Sequence, residues 1–151
     1  MANSIQYAKT VSTPSVKLAT NELTGRVRVA FAEYETATGG EQGTINMFVL
    51  PTGARIVRSR QAHDALGSGT TLSVGHAAYV TSAGAAVAAD VNEYLAATAS
   101  TGAVGHDVAN TIALGENSVT DANEDGVTIT ATMAGGNCTG TIQLSMFYVL
   151  D

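Results

Sequence analysis

The chain has 151 residues, a formal net charge of −6 at pH 7 and a single cysteine. This length predicts one domain, and one cysteine excludes an internal disulfide framework. The acidic balance argues against a nucleic-acid binder, because neutralising phosphates requires a basic surface. No apolar run reaches the length of a membrane span, and the N-terminus lacks the charged and apolar regions of a secretory leader. We therefore expect no membrane partner and synthesis in a cytosol.

The charges are divided unevenly along the chain. All seven basic residues lie within the first 60 positions, whereas positions 61–151 hold nine acidic residues and no Lys or Arg. Such a molecule can be matched, positive region against negative region, by copies of itself or by a larger acidic assembly. The alternative is that the acids merely solvate loops. Bulky apolar residues are few, so we expect burial between subunits to add stability.

Residues 1–22 are polar and aperiodic, which predicts an extended N-terminal arm, and residues 23–151 are predicted to form the single domain. Period-two alternation then predicts strands. In residues 26–31, Val27, Val29 and Phe31 fall on one face. Further strands are predicted over residues 44–50, 54–66 and 71–74.

A change of period in the middle of the chain predicts a short helix over residues 91–98. Val91, Tyr94, Leu95 and Thr98 share one face at the 3.6-residue period, and the segment beginning at Asp90 (DVNE) resembles a capping box.

Alternation is clearest in residues 127–133 and 142–150, where apolar residues alternate with polar ones, mostly Thr. These two runs predict an antiparallel hairpin joined by a loop over residues 135–137. Many short strands separated by Gly-rich turns predict a mainly β fold. We expect an antiparallel β-sandwich, jelly-roll-like, with one short helix in a connection and the extended N-terminal arm.

The segment from Asp121 to Gly126 (DANEDG) matches the first half of a calcium loop, with oxygen ligands at positions 1, 3 and 5 and glycine at position 6. The match then ends, because Thr132 takes the place of the bidentate Glu and a strand follows. Asp, Asn and Gly are also the commonest turn residues. We therefore expect a polar turn here, with no metal and no cofactor in the protein, and keep a bound cation as the alternative.

His63, His76 and His106 are the residues that hint at catalysis or a metal site. No histidine recurs at a zinc-ligand spacing, and nucleophile-elbow, Walker and dinucleotide-binding motifs are absent from the sequence. Cys138 has no nearby base that would lower the pKa of its thiol. We therefore expect no enzyme, although convergence of the three histidines in space would reopen that reading.

Five arginines form the candidate partner-binding site: Arg26, Arg28, Arg55, Arg58 and Arg60. They fall on two segments that are both predicted strands. If those strands lie close together, their guanidinium groups would share a surface suited to bidentate pairing with carboxylates. The alternative is a scatter of solvated surface arginines.

The order of several segments resembles a known family. Residues 25–29 (GRVRV) are followed by 50–56 (LPTGARI), 66–75 (LGSGTTLSVG) and 94–97 (YLAA), and then by the two runs within 127–149. In this order they resemble the small virion structural proteins of tailed bacteriophages, including cyanophage-type ones, that decorate or cement the head. The resemblance covers residues 25–150.

This resemblance implies a non-enzymatic β-sandwich, often trimeric, that clamps neighbouring major capsid subunits, and it fixes no contact residues. We therefore expect a capsid decoration protein on the virion surface, assembled in the host cytoplasm. Its expected partners are the major capsid protein and further copies of itself in a homotrimer, with no nucleic acid and no membrane. The alternatives are a head-fibre or tail protein, a glycan-binding surface module, or, in a third class, a small hydrolase or metal enzyme.

Overall fold

The computed structural model describes residues 25–37 and 40–150, together with Ala8 and Val11, which are both helical. Apart from those two residues, the predicted N-terminal arm, residues 1–22, lies outside the described part of the chain. Within that part, no helix is long and apolar enough to cross a membrane.

Regular structure in the described ranges consists of strands and one short 3-10 turn. In chain order the strands are β1 (Val27–Glu35), β2 (Glu41–Leu50), β3 (Arg55–His63), β4 (Thr71–His76), β5 (Tyr79–Val80), β6 (Ala86–Val87), β7 (Asp90–Ala99), β8 (Val104–Val108), β9 (Val127–Cys138) and β10 (Thr141–Val149). The 3-10 turn, Ile112–Leu114, follows β8.

Most of the strands form two four-stranded antiparallel sheets. Sheet A has the strand order β1-β10-β3-β8 and sheet B the order β2-β9-β4-β7, while β5 and β6 form a separate two-stranded ribbon. The two sheets pack their apolar faces together, as in other sandwiches. The predicted mainly β, antiparallel sandwich is therefore confirmed, and the jelly-roll connectivity stays a prediction.

Two clusters of buried apolar side chains fill the space between the sheets. The larger joins Ile129 of β9 to Leu144 and Met146 of β10. The smaller joins Met133 of β9 to Ile142 of β10. Because successive strand residues point to opposite faces, the alternation in both strands turns most apolar residues inward and leaves most Thr residues on the outer side, whereas Phe147 of β10 points outward. Each fully buried side chain of this size contributes about 1.5–3 kcal/mol.

The strands of the predicted C-terminal hairpin are confirmed, but the prediction that they pair with each other is wrong. β9 pairs with β2 and β4, whereas β10 pairs with β1 and β3, so the two strands lie in opposite sheets. Residues 135–137 continue β9 instead of forming a loop, and the chain crosses between the sheets at Thr139 and Gly140. Two strands with one apolar face each satisfy the same sequence pattern when they face each other across the core.

The predicted helix over residues 91–98 is also wrong, because these residues lie in β7. The Asp90 carboxylate accepts a hydrogen bond from the backbone N–H of Asn92 at 2.8 Å, as a helix cap would. The chain nevertheless stays extended, since β7 pairs with β4 and buries Tyr94 and Leu95. A Cβ added at Gly75 of β4 would lie 1.9 Å from the Asp90 carbonyl oxygen, so this close approach of the two strands requires glycine.

Candidate partner-binding surface

The outer face of sheet A exposes several large apolar side chains along one margin. Val27, Val29 and Phe31 of β1 share the face that the sequence predicted for them, but this face points into solvent, and Phe31 is 60% exposed. The register places Val29 opposite Phe147 of β10, which is also exposed. We call Val27, Val29, Phe31 and Phe147 the apolar patch. Contiguous exposed apolar surface of this kind is typical of an interaction site.

Two of the predicted arginines border the apolar patch. Arg58 of β3 lies opposite Phe147 of β10, and Arg60 lies opposite Ser145. Both arginines are exposed, and within the described residues neither side chain makes a hydrogen bond or an ion pair. The Arg60 guanidinium lies over Gly105 of β8, where an added Cβ would come within 2.9 Å of Nη2. The surface therefore offers two unpaired guanidinium groups beside apolar side chains.

The other three predicted arginines lie in different surroundings. Arg55 donates a hydrogen bond through Nη1 to the carbonyl oxygen of Asn117 at 2.8 Å and is partly buried. Arg28 is exposed on β1, but it lies on the opposite face of the strand from the apolar patch. That is the face of Ala30, which packs on the core. Arg26 is exposed just before β1. The two predicted strands do belong to one sheet, separated by β10 and hence by about 10 Å. A binding role for the five arginines stays a prediction.

Acidic side chains occupy the far end of the same face, where they are bonded to β10. Gln143 donates to the Glu33 carboxylate at 2.6 Å, and the Thr141 hydroxyl donates to the Glu35 carboxylate. The backbone N–H of Thr141 donates to Asp64 at 3.1 Å. These carboxylates accept hydrogen bonds from their own chain, whereas the guanidinium groups of Arg58 and Arg60 have no partner among the described residues. The apolar end of the face is therefore the end whose charged groups can still bind another molecule.

The three histidines do not converge. His63 and His106 stack on the inner side of sheet A with ring centroids 5.9 Å apart, whereas His76 packs edge-on against Tyr79 and Tyr94. Within the described residues, no group of three or more His, Cys, Asp or Glu side chains could hold a metal ion. The described residues therefore lack the convergence of three histidines that an enzyme or metal site would require.

The segment from Asp121 to Gly126 forms a turn tied to the rest of the chain. The Asp121 carboxylate accepts hydrogen bonds from the backbone N–H and hydroxyl of Ser82 at 3.2 and 2.5 Å. The Asn123 side-chain oxygen accepts from the backbone N–H of Asp125 at 3.1 Å. The Asp125 carboxylate accepts from the side-chain amide of Asn123 at 3.1 Å. Because all three residues at calcium-ligand positions thus give an oxygen to the protein itself, the turn explains these residues without a cation.

Cys138 is buried, and burial raises the pKa of its thiol. The sulfur lies 3.7 Å from the carbonyl oxygen of Gly136. A buried thiol with a raised pKa is a poor nucleophile, and the sequence likewise places no base near it that would lower the pKa.

Sequence reasoning missed one exposed apolar residue that the structure singles out. Ile112, in the 3-10 turn, is 88% exposed. The residues around Ile112 are mostly glycine and other small residues, and they show no periodicity from which its exposure could have been predicted. Phe147, in contrast, carried a signal, since it makes the second face of β10 apolar.

Comparison with known proteins places the fold among capsid components. No protein-family model matches the chain, and no curated protein matches it. Among solved structures, a chain in the capsid of Ralstonia phage GP4 is 22% identical with a TM-score of 0.62, and the match covers 84% of this chain and 86% of that one. A chain of the cyanophage Pam1 capsid asymmetric unit is 16% identical with a TM-score of 0.57, covering 93% and 96%. A chain in the acidic stable capsid structure of Helicobacter pylori bacteriophage KHP30 is 17% identical with a TM-score of 0.52, covering 82% and 87%. This chain is therefore similar in fold, over most of its length, to chains of phage capsids.

Proposed function

We propose that the chain is a non-enzymatic capsid decoration protein that binds and stabilises the outer surface of a phage head by bridging major capsid subunits. The observation that carries the proposal is the outer face of sheet A, where the unpaired guanidinium groups of Arg58 and Arg60 lie beside the apolar patch. A sandwich with the fold of phage capsid chains thus has a surface suited to a protein partner.

The extent of the structural matches supports a role in a phage capsid. Each match covers more than four fifths of this chain and of the capsid chain, so the proteins have similar lengths. The likeness in fold to these capsid chains therefore extends over most of this chain and of each capsid chain.

In the proposed mechanism, Arg58 and Arg60 pair with carboxylates of the major capsid protein or of an adjacent protomer. Arginine suits this role because its planar guanidinium can bind a carboxylate through two hydrogen bonds. The apolar patch excludes water from the contact, which strengthens the ion pairs that it surrounds. Arg26 and Arg28 are also exposed, but Arg28 lies on the opposite face of β1 from the patch, so Arg58 and Arg60 carry the mechanism.

The N-terminal arm, residues 1–22, is proposed to order on contact and to bridge to a neighbouring subunit. Ordering a segment of this length on binding lowers the net affinity of each contact. Many copies on a symmetric lattice, assembled as trimers, would compensate, because multivalent attachment raises the overall avidity without new contacts.

The alternative within the virion is a head-fibre or tail protein, or a glycan-binding module. A glycan-binding module would be expected to present an aromatic platform. Among the described residues, Tyr34, Tyr79 and Tyr148 are half-buried and Tyr94 is buried. The exposed aromatic rings, Phe31 and Phe147, lie instead beside the two arginines, an arrangement that favours a carboxylate-bearing protein partner.

The test is binding of the purified protein to phage heads assembled without it. The double variant Arg58→Glu with Arg60→Glu should lose binding while remaining folded, because both positions are exposed. The matched control, Asn46→Glu with Ala96→Glu, places two new carboxylates at exposed positions of sheet B and should bind normally. Unchanged occupancy by the arginine variant would refute the charge-pairing mechanism, and absence of any binding by the unmodified protein would refute decoration itself.

A further inference from the structure

The exposed side chain of Ile112 is held by a well-ordered turn. The Thr111 hydroxyl accepts a hydrogen bond from the backbone N–H of Leu114 at 3.2 Å and caps the turn. Gly115 then ends it in the left-handed conformation, with φ 82°. The backbone N–H of Glu116 closes the loop on the Thr111 carbonyl oxygen at 2.9 Å. A turn with this many internal bonds presents Ile112 in a fixed position.

The turn is also attached firmly to the sandwich. The backbone N–H of Asn117 donates to the carbonyl oxygen of Ile56 in β3 at 3.0 Å. A Cβ added at Gly115 would lie 2.9 Å from the ring of Tyr94, so the turn packs directly on a buried side chain of sheet B. An isoleucine that is 88% exposed on such a support gains nothing from the fold of its own chain, and this is the arrangement expected of a residue that enters a partner.

The apolar patch and Ile112 lie toward opposite margins of sheet A. The patch follows β1 and β10, whereas the 3-10 turn continues from β8 at the opposite margin of sheet A. Three strand spacings, about 14 Å, separate those margins. Ile112 therefore cannot cover the patch of its own chain, but a second copy placed beside the first can bring the two together.

Charge favours the same pairing. Glu116 follows Ile112 by four residues, and Arg58 and Glu116 of one chain line a single groove without bonding to each other. Glu116, Arg58 and Arg60 thus all remain available to another molecule. Residues 61–150 hold acidic side chains and no Lys or Arg, so this part of a second copy can supply carboxylates to these arginines.

We propose that Ile112 of one copy packs on the apolar patch of a second copy, with its Glu116 facing Arg58 and Arg60 of that copy. The contact joins two different surfaces, so repetition either closes a ring or extends a filament. A ring of three is the closure that agrees with the predicted trimer. The inference deepens the proposed function by taking the adjacent protomer, and not the major capsid protein, as the partner of Arg58 and Arg60, and it rests on that function only for the setting on a capsid.

Cross-linking between copies tests the contact directly. In a Cys138→Ala background, the double variant Phe31→Cys with Ile112→Cys should form covalent trimers on mild oxidation, whereas each single variant should stay uncross-linked. A dimer formed by Phe31→Cys alone would overturn the head-to-tail arrangement, since it would require a two-fold contact. Absence of cross-links in the double variant would equally overturn it.

A second measurement does not depend on new thiols. By analytical ultracentrifugation, Ile112→Asp should raise the dissociation constant between copies at least about 30-fold, because it places a charge at the centre of an apolar contact. The control Val80→Asp changes an exposed apolar residue, 40% exposed, on the separate ribbon and should leave association unchanged. Equal association of Ile112→Asp and the unmodified protein, or a monomer at every concentration, would refute the contact. If the contact between copies were refuted in this way, loss of head binding by the Arg58/Arg60 double variant would still support binding to the capsid. The two proposals can therefore fail separately.

Discussion

Replacing Gln61 by Met should stabilise the fold. Gln61 points inward on β3, between Leu144 of β10 and His106 of β8, and is 0% exposed. Among the residues that the structure describes, neither its amide nitrogen nor its amide oxygen has a hydrogen-bond partner. Burying an amide without partners costs about 1–3 kcal/mol in proteins, and Met has nearly the same shape without the polar atoms. We therefore expect the free energy of unfolding to rise by about 1–3 kcal/mol.

Urea denaturation of the purified variants measures this difference, and thermal unfolding should show a rise of about 2–4 °C for each kcal/mol in a chain of this length. The matched control is Gln143→Met on the outer face of the same sheet, where the amide bonds to Glu33 and is exposed. That exchange should change stability by no more than about 1 kcal/mol. A loss of stability in Gln61→Met would contradict the reasoning, because it would mean that the buried amide is satisfied in solution.

Four further results are expected. Gly75→Ala should lower the free energy of unfolding by about 1–3 kcal/mol or more, because the new Cβ meets the backbone of β7. Gly102→Ala, whose new Cβ has nothing within 4 Å, should be neutral or slightly stabilising in the same denaturation assay. Burial raises the pKa of the Tyr94 phenol above that of the unfolded chain, which is about 10. Below that pH the phenol is neutral in both states and should leave stability unchanged. Above that pH the free energy of unfolding should fall by up to about 1.4 kcal/mol per pH unit, because only the unfolded phenol loses its proton. Tyr94→Phe should remove that alkaline loss, and equal loss in both proteins would refute its origin. Cys138 should react with a thiol reagent only in denaturant, and fast labelling of the native protein would contradict its burial. EDTA should leave the melting temperature unchanged, because the turn from Asp121 to Gly126 needs no cation. A lower melting temperature in EDTA would indicate that the turn does bind a cation.

The sequence predicted strand positions well because period-two alternation reports directly on burial. β1, β2, β3, β4, β9 and β10 all overlap predicted strands, and the overlap is most complete for β3 and β10. Alternation says nothing about which strand pairs with which, however. Because β9 and β10 each have one apolar face, pairing in a hairpin and facing across the core were equally compatible with their residues.

The helix predicted over residues 91–98 failed for a different reason. Its local cap and spacing were genuine, but pairing with β4 buries Tyr94 and Leu95 in an extended conformation, and this tertiary contact outweighs a weak helical preference. Close approach at Gly75 is a long-range contact that no local pattern reveals.

The candidate site was predictable in part. The sequence left open whether the two arginine-bearing segments lie close together, and the structure places both in one sheet with β10 between them. Alternation could not show that Val27, Val29 and Phe31 face solvent, because an apolar face looks the same in sequence whether the chain or a partner covers it. The exposure of Ile112 depends on a turn anchored to β3 and Tyr94, and so required the fold.

Quantitative co-sedimentation with phage heads assembled without this chain tests the central claim most directly. The unmodified protein should bind at a fixed number of copies per head and increase the resistance of the heads to heat. The Arg58/Arg60 double glutamate variant should stay in the supernatant, and the variant with Lys at both positions should bind more weakly than the unmodified protein, because it keeps the charge but loses the bidentate geometry. Heads that neither bind the unmodified protein nor gain stability from it would contradict a decoration function.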